Sequence, residues 1–183
     1  MRILEQGWLT AEPDMPPQVL GIPIPPETRT RKEEYAFVVD ALRDAGGGQL
    51  LDMATGFIPP WHRLAEILTR AGWTVLAVDT NPGVVGLNWV PGVVYLQADA
   101  RAVPVEDHVF DVVTCISTLE HVGRAEARQI VAEMQRCVKP GGRLVLTADC
   151  APWLPVLFGG TYDPAPPPAD GLDPQVYYVI VEA

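Results

Sequence analysis

The sequence predicts an α/β protein in which helices cover both faces of a doubly wound, mostly parallel sheet. Continuous apolar segments of strand length alternate along the chain with segments of helical periodicity. The 183 residues are 48% hydrophobic, which is enough for one domain with a sizeable core. We therefore predict a single domain over residues 1–183, with a proline-rich arm (1–28), a ligand-binding core (29–150) and a proline-rich tail that includes the final strand (151–183).

The first elements are an irregular arm and one amphipathic helix. Residues 1–28 contain six prolines and no sustained periodicity, so we expect an arm without regular structure that lies on the surface. Thr30 and Glu33 have the spacing of a capping box. Apolar residues then recur at helical spacing from Tyr35 to Leu42, and three consecutive glycines end the helix.

The core and tail follow in an alternating order. The predicted strands are QLLDM (49–53), WTVLAVD (73–79), VVYLQAD (93–99), FDVVTCIS (110–117) and RLVLTAD (143–149). Helices are predicted over 60–71 and 124–138, with a short turn or helix at 81–86 and a turn at KPGG (139–142). The prolines after Asp149 leave little room for another helix, and a last strand is predicted over 175–183.

The charge of the chain excludes several classes of partner. The net charge is -10 and the pI is near 4.6, so the surface repels nucleic acid and anionic lipid. The basic residues Arg29, Arg31 and Lys32 are followed at once by Glu33 and Glu34, which indicates a solvated helix start.

The cysteines and the hydropathy point to a protein of the cytoplasm. Cys115, Cys137 and Cys150 are scattered, which is typical of reduced thiols in the cytosol. No run of about 18 apolar residues occurs, so no membrane span is expected. No cluster of histidines and cysteines has zinc-site spacing, so no metal is expected.

The loop after the first core strand carries the first functional signal. A dinucleotide-binding loop needs several glycines where the backbone approaches the pyrophosphate, whereas this loop has Gly56 followed by Pro59 and Pro60. Asp52 precedes the loop and would repel phosphate but attract an ammonium group. These residues disfavour a nicotinamide-dependent oxidoreductase, the rival enzyme class.

Carboxylates end three of the predicted strands. Asp52, Asp79 and Asp99 each lie at the carboxyl end of a strand, where open α/β sheets bind their ligands. An acid at the second of these positions can accept the hydroxyls of a ribose. The three acids together predict a nucleoside that carries positive charge.

The segments LLDMATG, VLAVDTN, LQADARAVP, FDVVTCISTLEHV and EMQRCVKPGGRLVLTAD resemble the class I S-adenosylmethionine-dependent methyltransferases, especially their small-molecule branch. The resemblance covers roughly residues 30–150. It implies a Rossmann-like methyltransferase fold whose last strand is antiparallel, S-adenosyl-L-methionine as cofactor, and a small-molecule methyl acceptor.

The resemblance also implies residue roles by position. The residues that would bind the methionine end are Asp52, Ala54, Thr55 and Gly56. The ribose would contact Asp79 and Thr80, the adenine Asp99 and Ala100, and the region near the sulfonium Ile116 and Ser117.

Proton transfer and substrate recognition have weaker candidates. His121 is a candidate general base because imidazole is the side chain most often used for that role, or it packs beside the cofactor instead. Glu120 starts a helical turn and is expected to interact with the helix dipole. Aromatic residues that lie above the strand ends are candidates for acceptor recognition or for packing: Trp8, Tyr35, Trp153 and Tyr162. Trp61 is expected to pack and His62 to face solvent.

The sequence departs from the family pattern in two places. Ala54 and Ile58 replace the outer glycines of the family loop; alanine is tolerated if φ stays negative, whereas Ile58 implies a reshaped turn with Pro60 at the next helix start. The short tail predicts six strands or a shortened seventh, and an apolar sheet surface that the tail, the arm or a second subunit of a homodimer covers. A non-catalytic scaffold with the same fold is the alternative function.

Overall fold

The computed structural model describes residues 1–9, 18–23, 31–56, 63–84, 90–161 and 175–183. Within these ranges the strands are β1 (Arg2–Trp8), β2 (Gln18–Val19), β3 (Ile22–Pro23), β4 (Gly48–Met53), β5 (Trp73–Asp79), β6 (Val93–Gln97), β7 (Phe110–Ile116), β8 (Val138–Asp149) and β9 (Val176–Glu182). The α-helices are α1 (Arg31–Ala41), α2 (Leu64–Arg70) and α3 (Arg124–Cys137).

Seven of the strands form one sheet in the order β1-β9-β8-β7-β4-β5-β6. Strands β4 to β8 run parallel to their neighbours among themselves, and β9 is antiparallel to both β8 and β1. The predicted fold class, a mostly parallel sheet with an antiparallel last strand, is confirmed. The strand order reverses at β4, which pairs with β5 on one side and β7 on the other and so creates a crevice at their carboxyl ends.

Apolar residues on both faces explain why these segments form buried strands. Successive residues of a strand point to opposite faces, so Leu50 and Leu51, both fully buried, belong to different core clusters. Leu51 packs in the cluster that contains Met134 of α3, and Leu50 in the cluster that contains Val38 of α1 and Ile67 of α2. Helices therefore cover both faces of the sheet.

The arm contributes strand β1 and the short antiparallel pair β2 and β3, so the expectation of no regular element over residues 1–28 is wrong for these segments. Strand β1 pairs with β9 along its length. The first proline of the chain is Pro13, so every residue of β1 keeps its backbone donor for pairing. Trp8 anchors the end of the strand, with its ring edge-on to that of the buried Tyr177 at 5.0 Å.

The six predicted strands are present as β4 to β9, and the seventh strand of the sheet is β1, so the prediction of six strands or a shortened seventh missed the strand that the arm contributes. Strand β9 pairs with β8 from Arg143 to Asp149. The tail also folds back: a 3-10 helix, Leu154–Phe158, buries Leu154 and Phe158 in the core cluster on one face of the sheet. The tail therefore covers apolar surface of the sheet. A second subunit was one of the candidates expected to cover this surface.

The KPGG segment is a bulge inside β8 rather than a turn before it. Strand β8 begins at Val138, and its register with β7 shifts between Val138 and Arg143. A Cβ atom at Gly142 would lie 2.7 Å from the carbonyl oxygen of Asp111, so only glycine fits this crossing.

Some predictions fall outside the described residues: the cap at Thr30, the helix start at Pro60, the end of the turn at 85–86 and the prolines from 164 to 174. Helix α2 is described from Leu64 onward. Among the helices that are described, none has the length and apolar character needed to cross a membrane.

Candidate functional site

Two adjoining cavities lie at the carboxyl ends of β4 to β7. Their volumes are about 290 Å³ and 190 Å³, and they share Ala54, Asp79 and Thr118 as walls. All ten residues predicted to contact a cofactor line one or both cavities: Asp52, Ala54, Thr55, Gly56, Asp79, Thr80, Asp99, Ala100, Ile116 and Ser117. The parallel strands bring these distant positions to one crevice because their carboxyl ends meet at the same edge.

Of the acids that line the two cavities, Asp52 is the most deeply buried. Its side chain is 1% exposed, and one carboxylate oxygen accepts a hydrogen bond of 2.7 Å from the hydroxyl of Thr114 on the neighbouring strand. The other oxygen has no hydrogen-bond partner among the described residues. Burial raises the pKa of Asp52 to about 6 because the charged form loses hydration. A cationic ligand group beside Asp52 would stabilise the charged carboxylate in place of the hydration that burial removes.

Asp79 holds the loop that follows β4. Its carboxylate accepts the amides of Gly56 at 3.0 Å and Asn81 at 2.9 Å, and the amide of Thr55 bonds the carbonyl of Val78 at 3.0 Å. The amides of Thr55 and Gly56 are therefore used within the protein instead of facing a pyrophosphate. A carboxylate has about four acceptor positions, so Asp79 can still accept hydroxyls.

Asp99 lies two residues beyond β6 and is held by a neighbour that the sequence reasoning missed. The guanidinium of Arg101 binds both carboxylate oxygens, with the shortest contact at 2.6 Å, and also contacts Glu126 of α3 at 3.1 Å. Hydrogen bonds from Arg101 lower the pKa of Asp99. Asp99 thus stays an acceptor, as recognition of an adenine amine requires.

Two residues of the site have left-handed backbone conformations. Ala54 has φ of 55° and Ser117 has φ of 44°, so the condition that φ stays negative at Ala54 is not met. Ala54 directly follows β4 and Ser117 directly follows β7, at points where the chain must turn sharply away from the sheet. Such strained residues are concentrated at functional sites. Ile58 lies outside the described residues.

Helix α1 forms one wall of the first cavity, which the sequence reasoning only partly foresaw. Arg31 and Tyr35 line this cavity, and Glu34 is completely buried beside it. The prediction of a solvated helix start is wrong for Arg31 and Glu34, because their side chains are largely buried and form an ion pair at 2.7 Å. Their spacing to the buried Val38 places them on the core-facing side, a signal present in the sequence.

His121 and Glu120 lie in the 3-10 helix Leu119–His121 beside the first cavity. His121 lines the cavity but its side chain is 71% exposed, and its Nε2 lies 3.8 Å from the carboxylate of Glu120. Burial raises the pKa of Glu120. The imidazole therefore has both access to the cavity and a neighbouring carboxylate.

The aromatic candidates separate into two groups. Tyr35 is 2% exposed and faces the first cavity, as a recognition residue would. Trp8 and Trp153 pack against the core. Trp61, His62 and Tyr162 lie outside the described residues.

Comparison with known proteins supports the assignment made from the sequence. A family model described as a methyltransferase domain matches residues 60–146. A demethylmenaquinone methyltransferase of Renibacterium salmoninarum is 37% identical over 111 residues, which are 60% of this chain and 44% of that protein. Over the residues that these matches cover, the chain is therefore similar to methyltransferases.

Other methyltransferases and solved structures agree with this placement. A ubiquinone biosynthesis O-methyltransferase of Xanthomonas oryzae is 35% identical over 116 residues, covering 60% of this chain and 46% of that one. A protein from Pyrococcus horikoshii shares the fold with a TM-score of 0.63 at 18% identity, over 92% of this chain and 96% of that chain. A TehB-like S-adenosylmethionine-dependent methyltransferase from Corynebacterium glutamicum gives 0.60 at 17% identity, over 82% and 88%.

The chain spans about half the length of the curated relatives that it matches. The match of the family model also begins after the loop from Asp52 to Gly56. The methyltransferase fold is therefore common to these proteins, while the loop geometry described above belongs to this chain.

Proposed function

We propose that this protein is a methyltransferase that binds S-adenosyl-L-methionine and transfers its methyl group to a small-molecule acceptor. The observation that carries the proposal is a buried oxygen of Asp52 that has no hydrogen-bond partner among the described residues, in a cavity that continues to Asp79 and Asp99. An ammonium group fits beside Asp52, ribose hydroxyls beside Asp79, and an adenine amine beside Asp99. The spacing of the three acids along adjacent strands fits one extended nucleoside.

The remaining predicted residues complete the proposed cofactor site. Thr80 and Ala100 line the second cavity, where the backbone amide of Ala100 would face the adenine ring. Ile116 lines the first cavity at the end of β7, near the position proposed for the sulfonium. When bound, the cofactor supplies an electrophilic methyl group, and the protein provides orientation and exclusion of water.

Two features disfavour a dinucleotide as ligand. The amides of Thr55 and Gly56, in the loop after β4, already donate to Val78 and Asp79. The buried carboxylate of Asp52 lies where a pyrophosphate would bring negative charge. Like charges at such a distance in a buried site repel strongly. A positively charged nucleoside avoids both conflicts.

We propose His121 as the general base when the acceptor must lose a proton. Its position at the cavity supports this role, and the carboxylate of Glu120 at 3.8 Å would stabilise the protonated imidazole. For an acceptor without an acidic proton, orientation alone suffices, and His121 would then contribute packing.

Calorimetric titration with S-adenosylhomocysteine, followed by a transfer assay with radiolabelled S-adenosylmethionine, tests the proposal. Quinone precursors are suitable first acceptors because named relatives act in menaquinone and ubiquinone biosynthesis. Binding with methyl transfer supports an enzyme. Binding with no transfer to any acceptor supports the alternative of a non-catalytic scaffold, and no binding at millimolar ligand contradicts a cofactor site.

Two further predictions accompany this function. A cytoplasmic location is supported by the free cysteines Cys115, Cys137 and Cys150. A homodimer stays a prediction, and a sedimentation profile of a compact monomer would contradict it.

A further inference from the structure

A third cavity lies at the opposite edge of the sheet from the two cavities described above. We call it the amino-end cavity; its volume is about 280 Å³, and its walls include Trp73, Asp111, Lys139, Gly141, Gly142 and Arg143. Trp73 begins β5, Asp111 is the second residue of β7, and the last four belong to β8. Among the described residues, it shares no wall with the proposed cofactor site. The proposed function therefore gives this cavity no role.

Arg143 places a partly buried guanidinium in the wall of the amino-end cavity. It donates a hydrogen bond of 2.9 Å to the carbonyl of Ala41 and forms no ion pair within the described part of the chain. Its cross-strand neighbour Glu182 binds Arg2 at 2.8 Å instead. The other partly buried arginines that the structure describes each bind a carboxylate: Arg31, Arg63 and Arg136.

Lys139 adds a second cation to the wall, and the acid of the wall is already bonded at both oxygens. Asp111 accepts a hydrogen bond of 2.6 Å from Lys139 and one of 2.9 Å from the amide of Gln49. The hydrogen bond from Lys139 is the main cause that lowers the pKa of Asp111, so this carboxylate stays ionised at neutral pH. Two cations and one anion leave the described wall with a net positive charge, although the whole chain carries -10.

Structural contacts use only part of this set of donors. The bond from Arg143 to Ala41 lies at the C-terminal end of α1, where the helix dipole favours a cation. Arginine has five N–H donors and lysine has three, and each of these two residues uses one in the contacts given above. Both side chains line the cavity, so their remaining donors are accessible from it. An anion in the cavity would supply the acceptors that these donors lack.

We propose that the amino-end cavity binds a small organic anion whose carboxylate or phosphate group accepts hydrogen bonds from Arg143 and Lys139, while its apolar part contacts Trp73. The cavity volume fits a fragment-sized molecule. Both oxyanions suit the flat guanidinium, which forms paired hydrogen bonds with either. The site is separate from the cofactor cavities, so it takes a ligand of its own.

The test uses three probes that share a phenyl ring: phenyl phosphate, benzoate and the uncharged benzamide. Amide NMR spectra of the wild type, recorded during titration at low ionic strength, locate each probe, and isothermal titration calorimetry measures its affinity. Phenyl phosphate or benzoate should bind saturably with a dissociation constant of roughly 1 mM, the affinity expected for ligands of this size. The amides of Gly141 and Gly142 should shift, and those of Thr55 and Gly56 should not. Whichever anion binds more tightly identifies the preferred oxyanion.

Variants then test the assigned residue. Arg143→Gln removes the charge but keeps an amide donor for the carbonyl of Ala41, and we expect it to weaken anion binding about tenfold or more. Arg143→Lys keeps the charge and should lose less. Arg128→Gln is the matched control because it removes a charge from an exposed position of α3 outside the cavity, and it should bind as wild type does. Circular dichroism verifies that each variant is folded.

Three results would overturn the proposal. The first is that neither anion gives saturable shifts around residues 139–143 of the wild type, which is a result that needs no variant. The second is equal binding of benzamide and the two anions, and the third is equal weakening by Arg143→Gln and Arg128→Gln, which indicates general attraction to surface charge. The cofactor is absent from these titrations, so any of the three leaves the proposed methyltransferase function standing.

Discussion

Substitution of Asp52 by asparagine should separate the stability of the ligand-free protein from its ability to bind the cofactor. Asp52 is 1% exposed and burial raises its pKa from 3.8 to about 6. Between these two pH values the carboxyl group of Asp52 is therefore protonated in the folded state and ionised in the unfolded state. The free energy of unfolding rises as the pH falls through this window. Above pH 6 the full penalty of the buried charge is present.

The size of this effect follows from the pKa difference. At about 1.36 kcal/mol per pKa unit, lowering the pH from 7 to 4 should stabilise the wild type by roughly 2 to 3 kcal/mol through Asp52. The side chain introduced by Asp52→Asn cannot bind this proton. When the pH is lowered from 7 to 4, the unfolding free energy of the wild type should therefore rise by this amount relative to that of the variant.

Urea denaturation at pH 7, 6, 5 and 4 measures this difference. The control is Asp44→Asn, which removes a carboxylate from an exposed position outside the cavities. The variant Asp52→Asn should also lose affinity for S-adenosylhomocysteine. A difference between wild type and Asp52→Asn that does not change with pH would refute the assignment of Asp52 as a buried carboxyl without a full set of partners.

Three other substitutions test separate parts of the site. Ala54→Gly should stabilise the protein by about 1 kcal/mol in thermal melts, because φ of 55° strains any side chain, and destabilisation would contradict that strain. Glu34→Ala should lower the unfolding free energy by on the order of 3 kcal/mol, since it leaves Arg31 and two hydroxyls without their acceptor, and Glu34→Gln should lower it less. With a hydroxyl acceptor, His121→Gln should reduce kcat by about 10² or more while the affinity for S-adenosylhomocysteine stays unchanged; an unchanged kcat would exclude His121 as the base.

The parallel core was predictable because its central strands, such as β4 and β7, are largely buried on both faces and therefore carry continuous apolar runs. Positions such as Asp52, Asp79 and Asp99 could then be assigned to one crevice, since the carboxyl ends of parallel strands share an edge. Helix α3 was found at its described bounds apart from its last residue. Local pattern and tertiary arrangement agree in this region except at KPGG, which lies inside β8.

The parts that sequence reasoning missed depend on contacts between distant segments. Strand β1 is largely exposed, and it is formed by pairing with β9, whose residues lie 169 to 180 positions away along the chain. The burial of Glu34 depends on hydroxyls from β7 and β8. A charged residue in the first helical turn looks solvated unless its acceptor or donor partners elsewhere in the chain are known. Likewise, the pairing of Arg101 with Asp99 concerns side-chain conformation, which sequence spacing does not determine.

A crystal structure of the protein with S-adenosylhomocysteine tests most directly whether the row of strand-end acids is a nucleoside site. We predict that the ligand occupies the two adjoining cavities, with its ammonium on the free oxygen of Asp52, its ribose hydroxyls on Asp79 and its adenine beside Asp99. A nucleoside bound elsewhere, or one in these cavities whose ribose and ammonium contact neither Asp79 nor Asp52, would contradict the account.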